Sequence, residues 1–179
     1  MGVFSSKSKK SKKDVDIILL GNDSAGKTEV LYSLFLGKKI KTIPTIGFNV
    51  ETINHQGLSF TIWDSGGQDK VRILYKQFYK QVDGIIFVID SNDLNRIDEA
   101  KEEFEKIMAE EELKNCFVLV MANKQDLNGS LSPEDVSKIL GMETLNRRSW
   151  LVLGTSVTTG QGLKESLDWM ASEVYKKRK

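Results

Sequence analysis

Residues 21–28 carry the spacing of a phosphate-binding loop. The segment Gly-Asn-Asp-Ser-Ala-Gly-Lys-Thr fits the pattern G-x-x-x-x-G-K-[S/T], between an apolar run at 15–20 and a helix-like segment at 27–36. Glycines let the backbone wrap around an anion with its N–H groups pointing inward, and the helix N-terminus adds partial positive charge. The pattern predicts that Lys27 reaches the β- and γ-phosphates of a nucleotide and that the Thr28 hydroxyl binds Mg²⁺. A chance glycine-rich turn is disfavoured by the strand before it and the helix after it.

We expect the nucleotide contacts of this loop to come from seven consecutive residues: Asp23, Ser24, Ala25, Gly26, Lys27, Thr28 and Glu29.

A second group, residues 64–68, reads Asp-Ser-Gly-Gly-Gln and follows the apolar segment 60–63 directly. A carboxylate at this strand end, Asp64, is positioned to hold Mg²⁺ through water. The Gly67 N–H can approach a terminal phosphate, and Gln68 can orient the attacking water, because phosphoryl transfer depends on positioning and charge stabilisation. The group alone is compatible with a glycine turn before a helix; downstream of a phosphate loop it predicts hydrolysis, with Lys27 and Gln68 as the catalytic residues.

A third group, Asn123-Lys124-Gln125-Asp126, also follows an apolar run. The Asp126 carboxylate can accept hydrogen bonds from the ring N–H and the exocyclic amino group of guanine, and adenine offers no equivalent pair. We therefore predict GTP and GDP as the nucleotides, held also by Asn123 and Lys124. Ser156 and Val157, after the last apolar run, are weaker candidates for a backbone contact to the guanine oxygen.

The segment 42–48 mixes Pro and Gly with apolar residues, as a loop with two packed states would. Thr45 is the natural hydroxyl to complete a Mg²⁺ site when a γ-phosphate is present. Such a contact differs between the GTP and GDP states, and only a differential contact can drive a switch. The alternative is a static β-turn. The predicted metal residues are thus Thr28, Thr45 and Asp64.

Short apolar runs alternate with amphipathic segments from residue 14 onward. The predicted strands are 15–20, 47–54, 58–64, 84–90, 116–122 and 149–155, and the predicted helices are 27–36, 68–80, 96–112, 133–140 and 162–177. The turn at 54–57 predicts one antiparallel hairpin, with His55 as a solvated turn residue. Intervening helices predict a mostly parallel α/β sheet with helices on both faces and ligands at the carboxyl ends of its strands.

Bulk composition favours one domain. The chain has 179 residues, 40% of them hydrophobic, and its 26 basic and 25 acidic side chains give a net charge of +1. No global basic field of the kind that nucleic-acid binders show is present, so no nucleic-acid partner is predicted. A single cysteine, Cys116, excludes an internal disulfide and is expected to be a buried hydrophobe in a reducing, cytoplasmic compartment. The sequence shows neither a membrane span nor a signal peptide.

The first six residues, Met-Gly-Val-Phe-Ser-Ser, match the N-myristoylation pattern, with Gly2 as the acceptor. One myristoyl chain binds membranes only marginally, at about 10⁴ M⁻¹, and a polybasic patch is a known second anchor. Such a patch follows at Lys7, Lys9, Lys10, Lys12 and Lys13. We expect a flexible, myristoylated, membrane-binding tail at 1–13 and a single GTP-binding domain at 14–179. A solvated disordered tail and a nuclear-import-like run are the alternatives.

Three segments resemble the ADP-ribosylation-factor family, including its Arf-like members: residues 43–52, 63–70 and 122–127. The resemblance implies the small-GTPase fold, with six mostly parallel strands, one of them antiparallel. It implies a switch in vesicle and protein transport, with an exchange factor, an activating protein and effectors as partners. It also implies a peripheral location on Golgi, other endomembrane or plasma membrane. Strands 47–64 would shift register between states, and Phe48, Trp63 and Phe78 would form an apolar effector patch, for which plain core is the alternative.

Several residues depart from the family pattern. Glu29 stands where threonine is usual, Val157 where alanine is common, and Phe78 replaces a tyrosine of the effector patch. Ile73 and Tyr75 replace a usual Pro and Trp. The N-terminal segment also lacks the apolar stripe of an amphipathic helix, so nucleotide-controlled membrane release does not transfer directly to this chain.

These features predict a slow GTP hydrolase that acts as a switch. No arginine occurs between Thr28 and Phe48, so a partner is expected to supply one, worth about 10³ to 10⁵ in rate. A P-loop nucleotide kinase or ATPase is disfavoured by Asn123 and Asp126. A GTP-binding scaffold with negligible hydrolysis is the third hypothesis, motivated by Asp23 and Glu29 close to the phosphates.

Overall fold

The computed structural model of the protein describes residues 11–37, 47–65 and 76–179. Its strands are β1 (Asp14–Leu20), β2 (Phe48–His55), β3 (Leu58–Ser65), β4 (Gly84–Asp90), β5 (Phe117–Asn123) and β6 (Trp150–Gly154). The α-helices in this part of the chain are α1 (Lys27–Leu36), α2 (Ile97–Met108), α3 (Pro133–Leu140) and α4 (Leu163–Lys177). Short 3₁₀ turns lie at Tyr79–Gln81, Leu94–Arg96, Glu111–Leu113 and Met142–Thr144.

The strands form one six-stranded sheet in the order β2-β3-β1-β4-β5-β6. Strands β2 and β3 pair antiparallel, and the other neighbouring pairs are parallel. The hairpin closes tightly because Gln56 and Gly57 both have positive φ, 48° and 78°, as a two-residue turn that matches strand twist requires. The predicted mostly parallel sheet with one antiparallel strand is confirmed.

Helices cover both faces of the sheet. On one face α1 and α4 pack over alternate residues of the strands, among them Ile17, Ile62 and Met121. On the other face α2 and α3 pack over the residues between these, such as Ile18, Phe87 and Val120. The central strands are therefore buried on both sides, which explains their continuous apolar runs.

Local capping fixes several helix bounds. Helix α3 begins after Ser132, whose Oγ accepts a hydrogen bond from the Asp135 N–H at 3.1 Å, and Pro133 occupies its first position. It ends at Gly141, which has the left-handed φ of 66°. Such caps are visible in the sequence, and the predicted bounds 133–140 agree with the structure.

Two predicted helices differ from the structure. The helix predicted at 96–112 ends at Met108, because Glu110 adopts an extended backbone (ψ 118°) and Glu111–Leu113 forms a separate 3₁₀ turn. Of the helix predicted at 68–80, residues 68–75 lie outside the described residues, and Tyr79–Gln81 form a 3₁₀ turn. The tail predicted at 1–13 lies mostly outside the described residues. Across the part that is described, no helix has both the length and the apolarity of a membrane span.

Candidate nucleotide-binding site

The predicted site residues that are described lie at one edge of the sheet. Strands β1, β3 and β5 end at Leu20, Ser65 and Asn123, and their parallel pairing places these ends side by side. This edge is where open α/β sheets bind ligands.

The loop between β1 and α1 has the backbone of an anion cradle. Gly21, Ser24 and Gly26 have positive φ values of 137°, 60° and 95°. A Cβ added at Gly21 would lie 2.1 Å from the Val88 carbonyl oxygen, so only glycine fits there. The buried Lys27 closes the loop, because its Nζ donates to the carbonyl oxygens of Gly21 at 2.9 Å and Asn22 at 2.8 Å. This lysine is therefore held over the cradle, as its predicted role requires.

Two hard oxygen ligands meet beside this loop. The Thr28 hydroxyl donates to Asp64 Oδ2 at 2.6 Å, and Asp64 is fully buried at the end of β3. Oxygen ligands of this kind, with water and phosphate oxygens, suit Mg²⁺, which keeps several waters and is bound through few protein groups. The arrangement fits a nucleotide-bound Mg²⁺ ion.

Asn123 and Lys124 connect the third motif to the phosphate loop. Asn123 is buried, and its Nδ2 donates to the Ala25 carbonyl at 3.1 Å. Lys124, with a positive φ of 67°, donates from Nζ to the Ser24 carbonyl at 3.1 Å. Both residues thus hold the loop backbone in place, which is a positioning role that the motif alone did not specify.

The predicted guanine-reading residues also meet. The buried Ser156 hydroxyl donates to Asp126 Oδ1 at 2.6 Å and accepts the Thr159 N–H at 3.1 Å. Asp126 itself is exposed, so its carboxylate is accessible to a base, and the neighbouring Val157 is buried. The loop after β6 therefore orients the carboxylate on which guanine selectivity is predicted to depend.

Two residues of this edge belong to none of the sequence motifs. Asp90, the last residue of β4, lies 2.5 Å from Lys124 Nζ and orients that lysine. Arg96 lies 2.5 Å from Asp23 Oδ1 and 2.8 Å from Glu99 Oε2. The position of Asp90 at a strand end is a usable indication of a site residue, whereas nothing in the sequence pairs Arg96 with Asp23, which lies 73 residues away.

This ion pair changes the charge of the loop. The hydrogen bond with Arg96 is the main cause that lowers the pKa of the Asp23 carboxyl. Hydrogen bonds with Glu99 and Asp23 raise the pKa of the Arg96 guanidinium. Asp23 is thus an ionised carboxylate whose charge Arg96 offsets, and it points to α2.

Glu29 lies in the first turn of α1. Within the described ranges its side chain makes no hydrogen bond or ion pair. A carboxylate there stabilises the helix N-terminus, yet it also adds negative charge next to the phosphate cradle. It is the one acidic side chain of the loop region that nothing in the described structure offsets.

The aromatic residues of the predicted effector patch lie on the face of the sheet near the hairpin. Trp63 and Phe78 are half-buried and stack with ring centroids 5.4 Å apart and planes inclined by 21°. They line a small cavity of about 30 Å³ with Asp16, Ile18, Gln81 and Val82. Phe48 begins β2, and its side chain lies outside the description. The stacked pair is thus partly exposed beside this cavity.

His55 corrects one expectation. It ends β2 rather than lying free in the turn, and its Nε2 lies 2.7 Å from Asp168 Oδ1 on α4. Gln56 Nε2 also donates to Asp168 at 2.8 Å, and the Tyr175 hydroxyl donates to the Gln56 carbonyl at 2.6 Å. The expectation was wrong because α4 packs under the hairpin tip, which sequence periodicity does not show. Cys116, by contrast, is buried as predicted and donates to the Val82 carbonyl at 3.2 Å.

Several predicted residues lie outside the described part of the chain. They are Gly2, Lys7, Lys9, Lys10, Thr45, Gly67 and Gln68.

Comparison with known proteins identifies the family. Residues 1–174 match the model of the ADP-ribosylation factor family. Among solved structures, the chain is similar to that of the Arl6 BBS3 small GTPase from Trypanosoma brucei with a bound nucleotide analogue, GppNp. The TM-score is 0.80 at 27% identity, covering 91% of this chain and 98% of that one. Because the family model covers residues 1–174 and the six-stranded sheet matches this small-GTPase structure, the chain belongs to the ADP-ribosylation factor family of small GTPases.

Proposed function

We propose that this protein is a Mg²⁺-dependent GTP switch that hydrolyses GTP slowly on its own. The observation that carries the proposal is the convergence of Lys27, the Thr28–Asp64 pair and the Asp126–Ser156 pair at one sheet edge. Phosphate, metal and base contacts are thereby available to one nucleotide. The similar small GTPase from T. brucei was solved with a bound nucleotide analogue, GppNp, which supports this assignment by likeness.

In this proposal the residues bind different parts of the nucleotide and its metal ion. Lys27 and the N–H groups of residues 23–29 bind the phosphates, while Thr28, Thr45 and Asp64 hold Mg²⁺, which supplies charge stabilisation for phosphoryl transfer. The Gly67 N–H binds the γ-phosphate, and Gln68 orients the attacking water. Asn123, Lys124 and Asp126 bind the base, together with the backbone of Ser156 and Val157. Stabilisation by an arginine comes from an activating protein, since segment 29–47 contains none.

Single-turnover hydrolysis by the purified chain tests this division. We expect a rate constant below about 10⁻² s⁻¹, the level reached by GTPases that carry their own arginine. Gln68→Leu should slow hydrolysis further, and Gln77→Leu, a change at an exposed glutamine nearby, should leave it unaltered. Fast hydrolysis by the isolated chain would contradict the need for an arginine from a partner. Co-purification with adenine nucleotides would contradict the assignment of GTP and GDP as the nucleotides.

A scaffold that binds GTP without hydrolysing it remains the second candidate, because Glu29 adds a charge beside the phosphates that no described residue offsets. The pairing of Asp23 with Arg96 weakens this candidate, since Arg96, which also pairs with Glu99, partly offsets one of its two motivating carboxylates. If Gln68→Leu hydrolysed GTP as the parent does, even with an activating protein, the scaffold would be favoured.

At the level of the cell, the proposed role is membrane traffic. A myristoyl group on Gly2 and the lysines at 7–13 would attach the protein to a cytoplasmic membrane surface, Golgi, other endomembrane or plasma membrane. Exchange factors would load GTP, and effectors would bind near Phe48, Trp63 and Phe78. Flotation of the myristoylated protein with vesicles, first with GDP and then with a GTP analogue, separates a nucleotide-controlled anchor from a permanent one, which would bind equally in both states.

A further inference from the structure

A basic groove lies at the end of the sheet opposite the nucleotide edge. It has a volume of about 560 Å³, within the range of about 300–1,000 Å³ typical of small-molecule sites. It is bounded by the residues just before β5 and β6 and by the last turn of α4. Its lining is Lys114, Asn115, Cys116, Phe117, Arg147, Arg148, Ser149, Glu173, Lys176 and Lys177. We call this the basic groove.

The charge of the groove is strongly one-sided. Five of its lining side chains are cationic, and the one carboxylate, Glu173, is buried and pairs with Lys176 at 2.6 Å. Lys114 pairs with Glu111 outside the groove. In the described part of the chain, neither Arg147 nor Arg148 contacts a carboxylate. The groove thus presents two guanidinium groups that the protein itself does not neutralise.

Arg148 is held in place by neutral groups. Its Nη2 donates to the Met108 carbonyl at 3.0 Å, and its Nη1 lies 3.2 Å from the Met108 sulfur. Burial lowers the pKa of this guanidinium, so an anion in the groove would relieve an existing cost. A guanidinium has five N–H donors, so the two contacts with Met108 leave three that can donate to phosphate oxygens.

The N-terminal segment leaves the domain beside this groove. The Arg178 guanidinium, directly after α4, donates to the carbonyl oxygens of Lys12 and of Asp14, the latter at 2.9 Å. Residues 12–14 therefore lie next to the C-terminal end of α4, whose Lys176 and Lys177 line the groove. A single anionic surface can contact Lys12, Lys13 and the groove together.

We propose that the basic groove binds the multiply phosphorylated headgroup of a membrane lipid, and so fixes the orientation of the domain on the bilayer. A strand of seven residues spans about 23 Å, so the groove lies roughly that far from the nucleotide edge, which stays accessible from the cytosol. The proposal does not depend on GTP hydrolysis or on acylation of Gly2. An acidic protein partner is the competing occupant.

Vesicle co-sedimentation of the full-length, unacylated, GDP-loaded protein tests the groove. The probes are phosphatidylcholine vesicles that carry either phosphatidylinositol 4,5-bisphosphate or phosphatidylserine at equal total charge. We expect at least about tenfold tighter binding to the phosphoinositide vesicles, since each cation near an anionic surface adds appreciably to binding. Equal binding to the two vesicle types would overturn the proposal, because it would reduce the interaction to general attraction.

Two groove variants and one control variant test whether the phosphoinositide binds in the groove. Lys114→Gln/Arg147→Gln removes two exposed groove charges without touching a buried contact, and Arg148→Gln removes the fixed fork. Each should weaken phosphoinositide binding about tenfold, whereas Lys106→Gln/Lys138→Gln, with the same charge loss on α2 and α3, should keep the preference. If the double groove variant bound phosphoinositide vesicles as the parent does, the proposal would be refuted and a protein partner would be favoured as the occupant of the groove. An equal loss of phosphoinositide binding in the control variant would also refute it.

One more variant distinguishes the contribution of the tail to vesicle binding from that of the groove. With glutamine in place of Lys7, Lys9, Lys10, Lys12 and Lys13, binding to both vesicle types should weaken, while the preference for the phosphoinositide persists. Loss of the preference in this variant would assign it to the tail and refute the groove. Thermal melting with GDP checks that every variant is folded.

Discussion

At the scale of single residues, Glu29 is the departure from the family pattern with the clearest electrostatic consequence. It lies in the first turn of α1, where its charge favours the helix but opposes a phosphate. Asp23, the other carboxylate of the loop region, is paired with Arg96 and therefore contributes less.

We expect Glu29→Gln to raise GTP affinity about fivefold, because removing a half-buried charge near the phosphates is worth on the order of 1 kcal/mol. The same change should cost a few tenths of a kcal/mol of unfolding free energy, since the helix N-terminus loses a favourable charge. Titration with a fluorescent GTP analogue and denaturant unfolding measure the two effects. Glu134→Gln, in the first turn of α3, is the control that should lower stability without altering affinity. Unchanged GTP affinity in Glu29→Gln would show that this charge is screened.

Lys124 and Asn123 illustrate what a motif conveys about a residue. Their position after an apolar run indicates nucleotide binding, but their contacts to the Ser24 and Ala25 carbonyls require the loop to lie beside β5. That arrangement comes from the strand order: only β4 lies between β1 and β5, so the loop that follows β1 can reach the end of β5. The chemical type of each residue can thus be read from its motif, whereas its role in positioning the loop depends on how the strands are arranged.

At the scale of elements, the loop between β1 and α1 is constrained by space as well as by backbone conformation. Gly21 and Gly37 both have positive φ, 137° and 67°. A Cβ at Gly21 would meet the Val88 backbone at 2.1 Å, whereas a Cβ at Gly37 would meet nothing within 4 Å.

Gly21→Ala should therefore cost about 3 kcal/mol or more of unfolding free energy, because a backbone carbonyl of β4 would have to move. Gly37→Ala, the matched control, should cost about 1 kcal/mol, the penalty of a left-handed alanine. Urea unfolding of the nucleotide-free proteins measures both. Equal costs for the two variants would mean that conformation alone, and not close approach to Val88, requires glycine at position 21.

The contacts of Asp168 attach the β2–β3 hairpin to α4. Lys164 and His55, in that order, are the main causes that lower the pKa of Asp168 below its ordinary value. A carboxylate whose pKa is lower in the folded state stabilises the fold above the unfolded-state pKa, and this contribution is lost as pH falls through the folded-state pKa. The contribution of Asp168 to the attachment should thus weaken in acid, below about pH 4.

We expect Asp168→Asn to lower the melting temperature at neutral pH and the difference from the parent to shrink as pH falls from about 5 to about 2.5. Melting curves recorded across that range provide the test. Asp98→Asn, a change at an exposed carboxylate on α2, controls for the loss of one charge. A difference that stays constant down to the lowest pH would contradict a role for the ionised Asp168.

At the scale of the whole molecule, the nucleotide edge joins segments from most of the chain. The Thr28–Asp64 contact links residues 36 positions apart, and the Asn123–Ala25 contact links residues 98 apart. A ligand that binds all these segments at once stabilises the folded chain and not the unfolded one.

GTP with Mg²⁺ should consequently raise the melting temperature. At a hundredfold excess over the dissociation constant the gain is about 2.7 kcal/mol, or roughly 5–10 °C for a domain of this size. ATP at the same concentration should produce no comparable shift, and chelation of Mg²⁺ should reduce the shift with GTP. Scanning fluorimetry measures all three, and an equal shift with ATP would contradict guanine selectivity.

Features that depend on neighbours along the chain could be predicted from the sequence. Helix α3 follows from Ser132, Pro133 and Gly141, and the buried strands follow from apolar runs that need no partner to be recognised. The phosphate loop and the base-reading loop follow in the same way, because their chemistry resides in a few adjacent residue types. The alternation of strands and helices then restricted the topology to a mostly parallel sheet.

Contacts between side chains far apart in the chain could not be predicted in this way. His55 with Asp168, Asp23 with Arg96 and the lining of the basic groove all bring together segments far apart in the chain. The end of α2 at Met108 depends on the extended backbone of Glu110, which helix propensity does not specify. The physical reason is common to these cases: periodicity and capping act over a few residues, whereas ion pairs and cavities depend on how whole elements pack.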